Sequence, residues 1–289
     1  MTHYRLSGQA FYFSGPVSEL TPYEMAEKEP SAARPLTVPS PMVLSCQTVG
    51  LVGGKQREVE TWSAPPGILL KVTGGSDFYI SPGGKAIVPV EQNHAASSWP
   101  MTGLDREILL GPALVLALAM RGVWSLHASA IVFDHRLMAF LGESGQGKST
   151  LAAYLASEGR PRWQLVADDI LPVVSAAERV DAKPHFPQLK LPMDAQPGPH
   201  LPESLTLGSV CTLAQADPDS QPGLQLLPPN QAVQALIRAT AGTRLFDLDL
   251  LSTHLAFCAR AAGQVPVYQL TYPHRRDTLP AIMELLESL

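Results

Sequence analysis

The chain has 289 residues, 26 Asp and Glu against 21 Lys and Arg, and three cysteines. That length holds one large domain or two of moderate size, and a mildly acidic balance with no basic block argues against nucleic acid as a main partner. Cys46, Cys211 and Cys258 lie far apart and form no C-x-x-C pair, which fits reduced thiols in a cytosol and suggests no zinc site.

Residues 1–104 read as a β-rich N-terminal region. Strand-type pieces run from Gln9 to Phe13, Met42 to Thr48, Gly67 to Val72, Asp77 to Ile80 and Ala86 to Val90, with Gly53-Gly54, Gly74-Gly75 and Gly83-Gly84 as turns. Glu19 to Pro39, rich in Pro, Glu and Ser, reads as a mobile loop. No pattern that carries chemistry falls in this region. The chain does not open with a charged segment, apolar core and small-residue cleavage site, so no signal peptide is expected.

Residues 105–289 read as an α/β region. Asp105 to Val123 is a helix candidate. Its apolar run, Ile108 to Met120, is shorter than a membrane span and is broken by Gly111-Pro112, so a buried helix and a soluble, cytoplasmic protein without membrane contact are expected. Ser125 to Phe133 and the strand before the glycine-rich loop flank Asp134-His135-Arg136, a turn that makes them an antiparallel hairpin. If Phe133 opposes Leu137, His127 lies opposite Glu143, beside the loop.

That loop has a stated chemistry. Gly142, Glu143, Ser144, Gly145, Gln146, Gly147, Lys148 and Ser149 fill the Walker A pattern without a mismatch, and Thr150 continues into a helix. Glycines let consecutive N–H groups turn toward a triphosphate, the helix points its positive N-terminus at the anion, and Lys148 reaches the β and γ oxygens. The Ser149 hydroxyl is then placed to ligate Mg²⁺. Trp163 to Ala167 follows as a short strand ending on Asp168 and Asp169, where a P-loop protein keeps a carboxylate for Mg²⁺. Both aspartates serve one site only if the strand has ended at Ala167; otherwise one of them caps or solvates a turn.

Taken together, His127 at the start of a strand, a loop of the form G-E-S-G-Q-G-K-S and L-V-A-D-D after the helix resemble the catalytic core of HPr kinase/phosphorylase. That family implies an α/β P-loop kinase core of the HPr kinase/phosphoenolpyruvate carboxykinase type. It also implies ATP and Mg²⁺ as cofactors and transfer of the γ-phosphate to a protein serine. Carried over by residue, Asp168 would be the base for the serine hydroxyl, and His127 would tune that carboxylate. Ser149 and Asp169 would hold Mg²⁺, and Lys148 would bind phosphate.

The glycine- and glutamate-containing segment by which the bacterial enzymes recognise HPr is not found after Asp169. A proline-dense stretch, Pro184 to Pro202, with Pro187-Gln-Leu-Lys-Leu191 inside it, stands there instead. This arrangement is similar to the HPr-kinase-related enzymes of lasso peptide biosynthesis, whose acceptor is the C-terminal serine of a short precursor peptide. A homo-oligomer is open. A small-molecule hydroxyl kinase and a non-catalytic ATP-binding switch are the alternatives.

Two further cations are candidates for the substrate. Lys190 faces the transferred phosphate or a substrate carboxylate, or is an ordinary exposed lysine on a strand. Arg244 is a second cation at the transition state, or a salt-bridge partner of Asp247 or Asp249. Beyond them, helices are expected over Gln231 to Thr240, Leu250 to Ala262 and Asp277 to Leu289, and a strand over Val265 to Tyr272. Leu251, Leu255 and Cys258 recur at helical spacing as a core stripe, and His254 and His274 read as structural.

Overall fold

The computed structural model describes residues 2–25, 41–90, 101–192, 195–197 and 200–289. It is a mixed α/β structure with two sheets, divided into two compact units, Met1–Trp124 with Gly242–Thr253, and Ser125–Ala241 with His254–Leu289. Most of the loop expected over Glu19 to Pro39 lies outside the described residues; its beginning is a 3-10 turn, Ser18–Tyr23, that buries Leu20 and Tyr23. No helix among the described residues is long and apolar enough to cross a membrane.

The first unit is built on seven strands: β1 (Thr2–Leu6), β2 (Gln9–Phe13), β3 (Val43–Val52), β4 (Lys55–Ala64), β5 (Gly67–Val72), β6 (Phe78–Ile80) and β7 (Ala86–Pro89). Their spatial order is β1-β2-β7-β6-β5-β4-β3. Gly53-Gly54 joins β3 to β4 with φ of 61° and 68°, the primed two-residue turn that matches the twist of paired strands. All five expected strand pieces are present. β1 and β4 were not expected; in KQREVETWSA only Val59, Thr61 and Ala64 are buried, too sparse an apolar face to read as a strand.

The expected helix over Asp105 to Val123 is not continuous. It consists of α1 (Gly103–Ile108), a π-type turn over Leu109–Ala113 and α2 (Leu114–Ala119). Gly111 leaves helical geometry at φ −97°, ψ −105° just before Pro112, whose ring and missing N–H break the ladder there. Thr102 caps α1: its hydroxyl accepts from the Asp105 N–H at 3.1 Å and donates to the Asp105 carboxylate at 2.7 Å. The same carboxylate accepts the Ser76 N–H at 2.8 Å.

Burial pushes the Asp105 carboxyl up, but the bonds from Thr102 and Ser76 together hold it below its ordinary value. A carboxylate depressed by folding stabilises above its unfolded value of about 3.9 and loses that contribution as the pH falls through the lower folded value. Acid unfolding followed by circular dichroism should therefore be less steep below about pH 4 in Asp105→Asn than in the wild type.

The second unit carries β8 (Trp124–Phe133), β9 (Arg136–Leu141), α3 (Lys148–Glu158), β10 (Trp163–Ala167), β11 (Ile170–Ala176), β12 (Arg179–Ala182), β13 (Leu205–Gln215), β14 (Gly223–Leu226), α4 (Pro229–Ala239), the end of α5 (Leu248–Gln264), β15 (Val267–Tyr272) and α6 (Leu279–Glu287). β9 lies between antiparallel β8 and parallel β13, and β13 pairs in parallel with β15. Ile131, Phe140, Leu151, Leu155, Trp163 and Ile282 belong to one buried cluster that binds α3 and α6 to the sheet.

Two expectations are corrected here. The β8–β9 turn has two residues, Asp134 and His135, both at positive φ, so Phe133 opposes Arg136 and the whole register moves by one position. On α5 the buried stripe is His254, Phe257, Cys258 and Ala261, while Leu255 is exposed. His254 is structural as read: its Nε2 lies 2.9 Å from the Thr240 hydroxyl and 3.2 Å from the Cys258 sulfur.

Candidate active site

The glycine-rich loop follows β9, the acid pair follows β10, and His127 stands within β8. β9 ends at Leu141, and the loop turns through Gly145 at φ 87° and Gly147 at φ 86°, a left-handed backbone that only glycine adopts without strain. α3 begins directly at Lys148, with no side-chain cap on its first turn, so its leading N–H groups are free to bind an anion. Gln146 braces the loop from inside, its side-chain oxygen accepting the Glu143 N–H at 2.8 Å.

Lys148 is folded back over the loop. Its ammonium donates to the Gly142 carbonyl at 2.7 Å and the Glu143 carbonyl at 3.0 Å, and the residue is buried. Burial and the nearby Lys190 lower its pKa, against the pull of Asp169 and Asp168. Lys148 therefore lies within electrostatic reach of the acid pair and Lys190. Ser149 and Thr150, in the first turn of the helix, are exposed.

The acid pair stands where β10 has ended and β11 has not begun, so alternation along a strand does not force the two side chains apart. The Asp168 carboxylate accepts a hydrogen bond from the buried Ser129 hydroxyl at 3.1 Å. The Asp169 carboxylate lies 3.3 Å from His127 Nε2 and 2.6 Å from Lys190 Nζ. Burial pushes Asp169 up, but the His127 and Lys190 bonds outweigh it and hold the carboxyl below its ordinary value. His127 thus meets Asp169 rather than Asp168. The main chain explains why, since the Ala128 N–H donates to the Asp169 carbonyl at 3.0 Å and brings those two residues side by side.

Lys190 is exposed, as expected of an ordinary surface lysine, but it stands on a turn and is committed to Asp169. Its position follows from Gln188, a residue that sequence reasoning did not single out. The Gln188 side chain is 1% exposed. Its oxygen accepts from the N–H groups of Asp168 at 2.9 Å, Asp169 at 3.0 Å and Ile170 at 3.4 Å. Its amide donates to the Ile170 carbonyl at 2.9 Å and the Phe186 carbonyl at 3.3 Å. Gln196 in turn accepts the Gln188 N–H at 2.8 Å and donates to the Gln188 carbonyl at 2.8 Å. Gln188 therefore ties the proline-dense segment to the acid pair, and Gln196 braces Gln188 within that segment.

Arg244 is not among the residues that the second unit brings together. It is an exposed residue of a 3-10 turn, Thr243–Leu245, in the first unit. A second feature that the sequence did not signal borders the loop. There a cleft of about 210 Å³ is lined by Gly145, Gly147, Thr150 and Leu151 together with Tyr272, His274, Arg275, Arg276 and Leu279. Only the tertiary fold joins the end of β15 to the glycine-rich loop.

No protein-family model matches the chain, and no curated protein sequence does. Among solved structures the chain is similar to the Hpr(Ser) kinase/phosphatase from Coxiella burnetii, at 16% identity over 57% of this chain and 94% of that one, with a TM-score of 0.34. At that TM-score the likeness assigns no role to any residue.

Proposed function

We propose that the chain is an ATP-dependent kinase of the HPr kinase type, and that it transfers the γ-phosphate to a serine hydroxyl of a peptide or protein. The narrower acceptor is the C-terminal serine of a lasso precursor peptide. One observation carries this reading: the Walker A lysine, Lys148, lies within electrostatic reach of Asp168, Asp169 and Lys190, which supports a glycine-rich loop and an acid pair that act on one ligand.

Ser149 and Asp169 supply a hydroxyl and a carboxylate, the hard oxygen donors that suit Mg²⁺, which takes its remaining oxygens from phosphate and water. No three His, Cys, Asp or Glu converge on a point among the described residues, and a Mg²⁺ site of that kind needs no such cage. When bound, the ion neutralises the phosphate oxygens.

The chain's own residues then have defined tasks. The N–H groups at the start of α3 hold the phosphates, and Lys148 leaves the Gly142 and Glu143 carbonyls for the β and γ oxygens. Ser129 fixes one oxygen of Asp168, and the other takes the acceptor proton. The serine oxygen bonds to the γ-phosphorus as the bond to the β–γ bridging oxygen breaks, and the hydroxyl proton passes to Asp168. His127 orients Asp169. A C-terminal serine carries its hydroxyl and an α-carboxylate on one residue, so Lys190 can exchange Asp169 for that carboxylate and align the nucleophile.

Incubation with ATP, Mg²⁺ and serine peptides, read by mass spectrometry, tests this. Phosphate is expected on a peptide ending in serine as the free acid, and much less on its C-terminal amide. Lys148→Met should remove the product and weaken nucleotide binding about tenfold or more. Phosphate on small hydroxyl compounds but on no peptide would make the protein a small-molecule kinase. Nucleotide binding with no product on any hydroxyl would make it a switch.

A further inference from the structure

The nucleotide reading leaves open where the base and sugar go, and the cleft beside the glycine-rich loop answers it. Its lining residues include none of His127, Asp168, Asp169 or Lys190. The cleft is thus separate from the acid pair, and a ligand whose phosphates sit on the loop has room beside it for its other half. Thr150 and Leu151 bring the first turn of α3 into the lining, so the cleft is continuous with the phosphate-binding N–H groups. At about 210 Å³ it is smaller than the roughly 300–1,000 Å³ of whole-ligand pockets. It suits part of a ligand whose other part lies elsewhere.

Its walls have the chemistry of a nucleobase site. Tyr272 is buried, and its ring supports the exposed His274 ring at a centroid distance of 4.9 Å and an angle of 41°. Leu151 and Leu279 add apolar surface. The floor and the loop touch: a methyl group built on Gly147 would stand 3.0 Å from the Tyr272 hydroxyl. At the rim, Arg275 is already committed to the Asp277 carboxylate and the Pro218 carbonyl. Arg276 makes no ion pair among the described residues.

We infer that Tyr272–Arg276 is the base-holding wall of the nucleotide site. The nucleobase of a nucleoside triphosphate stacks on the His274 imidazole, Tyr272 backs that ring, and Arg276 reaches the phosphate nearest the sugar. This rests on the nucleotide-binding reading above and adds the residues that recognise the half of the ligand outside the Walker A loop. Stacking on a planar ring is tolerant of which base is bound, so the wall confers a preference for a base over none.

Calorimetry with Mg²⁺ and either ATP or inorganic tripolyphosphate separates the two ideas. In the wild type ATP should bind more tightly than tripolyphosphate. His274→Ala should weaken ATP by about 5- to 150-fold, the range for one base–ring stack, and leave tripolyphosphate unchanged. His274→Phe, which keeps a ring, should recover most of the loss. Because His274 is exposed, these variants are expected to fold, and their circular dichroism verifies it. Equal affinities of the two ligands in the wild type would overturn the base wall while leaving the phosphate site standing, as would an unchanged ATP affinity in His274→Ala. If neither ligand binds the wild type, the nucleotide reading itself falls, and the wall with it.

Discussion

Asp168→Asn should lower phosphate transfer to a serine peptide by about 10²- to 10⁴-fold, the usual worth of a positioned proton acceptor, while nucleotide affinity changes little. The substitution keeps the shape of the side chain and an oxygen that can accept from Ser129, now at 3.1 Å. It removes the negative charge and the capacity to take the acceptor proton. Single-turnover phosphorylation followed by mass spectrometry, with nucleotide affinity measured in parallel, reads both. Transfer at the wild-type rate would mean that the proton leaves by another route and that Asp168 is only an anchor for Ser129. Ser129→Ala serves as the comparison. It should cost far less than Asp168→Asn, because it loosens the carboxylate without removing it.

Gln188→Met should affect both stability and rate. The substitution is close in size, but it leaves the Asp168, Asp169 and Ile170 N–H groups and the Ile170 carbonyl without the partner they now have at 2.9–3.4 Å. Each buried polar group left unpaired costs about 1–3 kcal/mol, so a loss of at least ~3 kcal/mol is expected by urea unfolding. The surviving folded fraction should also turn over more slowly, because the backbone that aims both aspartates is no longer fixed. Gln188→Glu should be no milder, because its second carboxylate oxygen would face the Ile170 and Phe186 carbonyls where the amide now donates and would bury a charge beside the acid pair. If Gln188→Met unfolds at the wild-type urea concentration, the side chain is not what ties the proline-dense segment to the acid pair.

How much of this could be read from the residues follows from how local each feature is. The strand, glycine-rich loop and helix from Leu137 to Glu158 are contiguous, and their spacing suffices to predict them. The acid pair at the end of β10 is equally local, because the apolar run stops one residue before it. The β8–β9 hairpin was legible but its register was not. That register depends on whether Asp134 and His135 alone make the turn, and their positive φ has no strong sequence mark where the usual Asn-Gly is missing.

Non-local features were not legible at all. Gln188 is an unremarkable glutamine in a proline-dense stretch, and its importance comes from three N–H groups about twenty residues earlier in the chain. The partner of His127 depended on a main-chain bond between Ala128 and Asp169. The cleft wall at Tyr272 and His274 required knowing that β15 reaches the glycine-rich loop.

The ion pair between Lys190 and Asp169 has one more consequence. Two ammonium groups, Lys148 and Lys190, stand near two carboxylates, Asp168 and Asp169, and the formal charges of these four groups cancel. These four groups together exert no long-range pull on a polyanion, so substituting Lys190 and Asp169 together by neutral residues should leave the ionic-strength dependence of capture unchanged. A triphosphate that arrives already carrying its divalent counter-ion, with much of its charge offset, is the form that this balance favours.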